Sequence, residues 1–110
     1  MRGIDILKGA FALLDEDISD IDASKRTAAL GFINHIIVDL KLGRPIKNLN
    51  EEVKAGGELS SALIYGTAMH LAAAQGNGAR QSYFTRLYNR KRTLAGHNDS
   101  RRDVLPVSCS

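Results

Sequence analysis

Residues Glu58–Arg92 read ELSSALIYGTAMHLAAAQGNGARQSYFTRLYNRKR: an apolar helix, a tight turn and a second helix that becomes basic. From about Glu58 to Gln75 the pattern is apolar on nearly every side. Leu59, Leu63, Ile64, Met69 and Leu71 are mixed with Ala62, Gly66, Ala68, Ala72, Ala73 and Ala74. Small residues let neighbouring helices approach the backbone closely, so this segment is expected to be the hub of the core. Gly76-Asn77-Gly78 tolerates positive φ and predicts the helix end and the turn. The next helix is expected from about Ala79 to Leu94. Tyr83, Phe84, Leu87, Tyr88 and Leu94 share one broad inward face, with Arg86, Arg90 and Arg92 on its flanks and back. Lys91 lies near the aromatic stripe, where its stem can extend to water.

Toward the amino terminus the chain remains helical. Leu7, Ala10, Phe11 and Leu14 recur at helical spacing, and Asp15-Glu16-Asp17 ends that short first helix. The acidic run Asp15–Asp22 superficially suggests a calcium loop. It lacks the Gly of the sharp turn, and Arg26 stands where a bidentate Glu would close the site, so a solvated linker is the reading. Asp20 or Asp22 is expected to cap the following helix. That second helix, about Ala23 to Leu42, carries the stripe Ala29, Ile33, Ile36, Ile37 and Leu40, with Lys25, Arg26, Asn34 and Asp39 mostly off it. Gly43 is the expected stop, with Pro45 beyond. Phe32 flanks the stripe, free to widen the core or face a neighbour. From Arg44 to Gly57 periodicity lapses, which predicts an ordered, partly extended link anchored by Ile46, Leu49 and Val53. Gly43-Arg44-Pro45 resembles a minor-groove hook, but without flanking basic repeats a helix terminator explains it better.

Composition bounds the functional classes. A chain of 110 residues is one domain with a modest core, and 44% apolar with 25% charged residues is the ordinary globular balance. No apolar run reaches the ~20 residues that span a bilayer. Asp5 and Lys8 interrupt the first apolar stretch and no small-residue cleavage site follows, so an intracellular product is expected. Up to Glu58 eight basic residues face ten acidic ones, about −2; after it seven face two, about +5. Opposite halves of this kind suit a contact between subunits, and the basic half equally suits nucleic acid.

Candidate chemistry is sparse. Cys109 is a single thiol near the end, read as incidental. His35 reads as a surface or edge histidine, and His70 as hydrogen-bonded at the edge of the core rather than catalytic. The sequence holds no Gly-rich phosphate loop, framed carboxylate pair, nucleophile elbow or His/Cys metal spacing. The expectation is therefore no enzyme, no cofactor and no metal. The expected fold is all-α: a bundle of about four main helices over residues 1–97, an extended link before the third, and a flexible tail over 98–110.

The order ILKGAFALLDED, ASKRTAALGFINHIIVDLKLG, PIKNLNEEV, ALIYGTAMHLAAAQGNG and ARQSYFTRLYNRKRTLAG, followed by the late DVLP, resembles the head-to-tail connector (adaptor) proteins of tailed bacteriophages and prophages. The resemblance spans nearly the whole chain and is one of pattern and order, carried most by ALIYGTAMHLAAAQGNGARQSYFTRLYNRKR. It implies a structural subunit in the neck of the virion, made in the bacterial host cytoplasm. Such subunits work as a ring, usually of twelve, beneath the portal protein. The ring extends the DNA channel after packaging, so DNA is passing cargo, and it seats the next neck or tail component. The family grips the portal with its carboxyl-terminal segment. Here that segment is Arg101, Arg102, Asp103, Val104, Leu105, Pro106 and Val107, in a chain shorter than several long-tailed relatives. Between subunits, Asp15, Glu16, Asp17 and Asp20 are expected to face Arg86, Arg90 and Arg92 of a neighbour. The alternative is a small helical DNA-binding regulator, with the turn Gln75–Ala79 joining two helices and RLYNRKR on phosphates.

Overall fold

The computed structural model describes residues 1–108, with side chains described for residues 1–95 other than Asp20. Helix α1 is Gly3–Leu13, a single 3-10 turn follows at Ile18–Asp20, and α2 is Ala23–Asp39; α3 is Glu58–Ala74 and α4 is Gly78–Ser108. Among the described residues the only bridge between extended segments is an isolated one, Arg2 with Glu52. The architecture is all-α. The expected tail, residues 98–110, lies outside the described side chains, as does Cys109.

Helix α3 is the hub, packing against α1, α2 and α4. Ala62, Leu63, Gly66, Thr67, Ala68, Leu71 and Ala72 are all buried along it. The α2 stripe closes on it as its spacing requires, with Ala29, Ile33, Ile36 and Ile37 buried. Ile6, Leu7, Ala10, Phe11 and Leu14 do the same from α1. Each large side chain so buried contributes about 1.5–3 kcal/mol. Among the described residues the one buried polar side chain, Thr67, is satisfied locally, its Oγ1 donating to the Leu63 carbonyl at 2.8 Å.

Three helices end in the same Schellman arrangement. The C″ amide reaches the C3 carbonyl in each: Glu16 to Phe11 at 2.9 Å, Leu42 to Ile37 at 3.0 Å and Asn77 to Ala72 at 2.9 Å. The left-handed residue is Gly76 in the last (φ 72°), but Asp15 and Lys41 in the others, both at φ 56°. Helix α2 therefore stops before the expected Gly43, which instead takes φ 124° in the reversal that follows. Asn77 serves twice, closing α3 and accepting the Arg80 amide at 3.1 Å to cap α4. At the start of α2 the cap is Asp22, accepting from the Lys25 amide at 2.8 Å.

The link is fixed at both sides. Asn34 donates to the Ile46 carbonyl at 2.9 Å and accepts from its amide at 2.7 Å. At the other side the link supplies acceptors for the first turn of α1: Gly3 donates to Glu51 at 3.1 Å and Ile4 to Leu49 at 2.8 Å. These amides have no partner within a helix, so the link caps α1 with backbone.

Two expectations about side chains are corrected. Phe84 and Tyr88 pack inward from α4, but Tyr83 is 52% exposed and Leu94 40%. Helix α4 lies along α3 and meets α2 only through side chains, so the buried face is narrower than the apolar stripe. The second correction is His70. Its ring stacks on Phe32 at 5.3 Å and meets His35 edge-on at 5.1 Å, and its buried Nε2 has no hydrogen-bond partner among the described residues. Aromatic packing takes the place of the expected hydrogen bond, while His35 is exposed, as its position on α2 suggested.

Candidate assembly surfaces

The helix directions give the bundle two chemically different ends. One gathers the close of α1, the opening of α2 and the α3–α4 turn. Arg80 ties them, its Nη1 donating to the Leu14 carbonyl at 2.7 Å and its Nη2 lying 3.6 Å from Asp15. The guanidinium thus caps the negative end of α1. Glu16 accepts from Gln75 at 2.7 Å, and Asp17 accepts from the Ser19 amide at 3.0 Å, a bond that holds its carboxyl below the usual range. The side chain of Asp20 lies outside the described residues. The result is an exposed acidic face in which only Asp15 has an ion-pair partner among the described residues.

At the other end lie the start of α1, the close of α2 and the link. Glu52 faces the Met1 ammonium at 3.1 Å. The Glu51 carboxylate accepts from the backbone amides of Lys47 and Asn48. Both acids are therefore engaged locally. Arg44, Lys47 and Lys54 have no ion-pair partner among the described residues, and they border a groove of about 510 Å³ with Leu42 and Pro45 at its side.

Of the arginines expected to face a neighbour, Arg86 and Arg90 are exposed on α4 and unpaired among the described residues. Arg92 is engaged within the chain. Its Nη1 lies 2.8 Å from Asp39, and its guanidinium stands 5.8 Å from the centre of the Tyr88 ring. The Tyr88 hydroxyl also donates to Asp39. These two donors hold the Asp39 carboxyl below its ordinary range, the Tyr88 bond foremost. Burial, reinforced by Asp39, pushes the Tyr88 hydroxyl well above its own. Lys91, whose stem passes the aromatic stripe, ends on Glu58 at 2.8 Å.

The segment Arg101–Val107, which the resemblance led one to expect at a portal contact, lies outside the described side chains. No helix among the described residues is long and apolar enough to cross a membrane. Comparison with protein-family models, curated proteins and solved structures gave no match. The residues of these two ends that sequence reasoning did not single out are Arg80 and the groove cations. Arg80 carries no local signal, since its acceptor lies 66 positions away. The cations were visible as charges, but their freedom depends on how Glu51 and Glu52 are occupied.

Proposed function

We propose that the chain is a head-to-tail connector subunit of a tailed phage or prophage. In this reading it forms a ring beneath the portal, extends the DNA channel and seats the next neck or tail component. The observation that carries the reading is the order of the helices around the small-residue hub α3. Short helix, long helix, fixed link, hub and basic helix follow in the sequence by which the chain resembles the connector proteins. The charge distribution adds support, since an acidic face and free cations on separate surfaces suit repeated contact between copies. Exposed pairs contribute only ~0–1 kcal/mol each, so they set register while apolar contacts supply affinity. Residues 101–107 fasten the ring to the portal.

The DNA-binding reading receives less support. Lys91 on Glu58 and the convergence of Tyr88 on Gly66 lay α4 back along α3 as an antiparallel hairpin. A recognition helix instead crosses its partner at about 90–120°. The test is co-sedimentation with the portal ring from the same genome, comparing the full chain with one ending at residue 97. The full chain is expected to travel with the portal and the shortened one to lose at least tenfold in affinity. A full chain left behind, together with salt-dependent retardation of a short DNA duplex, overturns the connector reading in favour of the regulator.

A further inference from the structure

We infer that the groove bordered by Arg44, Lys47 and Lys54 receives the acidic corner, residues 13–18, of a second copy of this chain. The inference rests on the assembly reading and deepens it by naming both surfaces of the contact. Three observations carry it.

First, the two surfaces lie at opposite ends of the same helix. The link wraps the start of α1, where Gly3 donates to Glu51 and Val53 to Met1. The acidic corner follows its last residue, Leu13. Eleven residues separate these ends by about 16 Å. A molecule with complementary surfaces at opposite ends joins copies head to tail, and such a contact repeats into a ring or an open filament.

Second, the charges match after internal pairing is taken into account. Glu52 is paired with the terminal ammonium, whereas Glu51 accepts only from neutral backbone amides and keeps its charge, so the groove sets three cations against one uncompensated acid and still presents an excess of positive charge to an outside anion. On the corner, Glu16 and Asp17 accept only neutral hydrogen bonds and have no ion-pair partner among the described residues, although Lys8 and Lys25 border the same hollows. The arginines of α4 are the competing cations, but Arg92 is already committed to Asp39.

Third, the apolar parts match as well. Leu13 is 39% exposed and Ile18 half-buried, both beside the carboxylates. Leu42 and Pro45 stand beside the groove cations. A corner with apolar residues among acids fits a groove with apolar residues among bases, which supplies contact area as well as register.

The test is a charge exchange on the full chain, read by sedimentation velocity over a range of concentrations at low and high salt. One variant carries Asp15→Lys and Glu16→Lys, a left-handed lysine being one this fold already accommodates at Lys41. The other carries Arg44→Glu and Lys54→Glu, both exposed positions. Unchanged helical content and melting temperature establish that each variant is folded. The unmodified chain is expected to associate at low salt, each variant alone to lose about tenfold or more in association constant, and an equimolar mixture to recover it, because every contact in the mixture is again between opposite charges. Association that persists in both variants, or that falls only with Arg86→Glu and Arg90→Glu, overturns the groove contact while leaving assembly itself in place. An unmodified chain that never associates alone also overturns it, and the portal experiment then judges the connector reading separately.

Discussion

His70 is the residue whose surroundings couple the fold to pH. Its ring is packed between Phe32 and His35, and its Nε2 is buried without an acceptor among the described residues. Burial, with His35 beside it, lowers its affinity for a proton below the ordinary value of 6.5, while Asp39 opposes this weakly. The sign follows from linkage. The unfolded chain binds the proton more readily than the folded one, so stability rises with pH through this window and falls as pH drops below about 6.5. Denaturant midpoints measured from pH 7.5 down to 5.5 should decline, and His70→Leu should flatten the decline. An equal slope in both proteins would place the pH dependence elsewhere. Asp39 contributes in the opposite part of the scale. Its carboxylate, held ionised by Tyr88 and Arg92, stabilises the fold above the usual carboxylate range and loses that contribution in acid.

Among the glycines, Gly66 is where neighbouring helices approach most closely. A Cβ there would stand 2.7 Å from Ile36 Cδ1 and 3.0 Å from Tyr88 Cδ1, so α2 and α4 converge on the bare backbone of α3 from two sides. Ile36 is 1% exposed and Tyr88 is tethered through its hydroxyl to Asp39, which leaves neither free to retreat. Gly66→Ala should therefore destabilise the chain by about 1–3 kcal/mol despite alanine's better helix propensity. Gly31 on α2 is the control, since a Cβ there meets nothing within 4 Å. Gly31→Ala should stabilise by about 0.5–1 kcal/mol. Thermal melts of both variants check the pair, and two shifts of the same sign would contradict the packing account. The sequence made the hub legible because small residues along a helix have few other uses, and the α2 stripe legible because its spacing admits one buried face. Helix ends were less so. Lys41 and Asp15 take a left-handed conformation that glycine favours, so Gly43 drew the boundary of α2 too far along the chain. The inward face of α4 was read too wide, since nothing local reveals that α3 alone covers its backbone.

For the molecule as a whole, long-range contacts decide which charges stay free, and these are what the sequence withholds. The acidic first half and basic second half were plain in composition. That Arg92 would turn to Asp39, Arg80 to Leu14, and Glu51 to the link's own amides required the folded arrangement. What remains is a bundle with an acidic corner at one end and, at the other, cations without an ion-pair partner among the described residues, a polarity suited to joining copies in one direction. The proposed function requires such copies to close into a ring on the portal. The decisive experiment is cryo-electron microscopy of the full chain mixed in molar excess with the portal ring from the same genome. The expected image is a closed ring of copies seated coaxially on the portal, with the channel continuing through it. Portal rings bare of added density, beside single free copies of the chain, would contradict it.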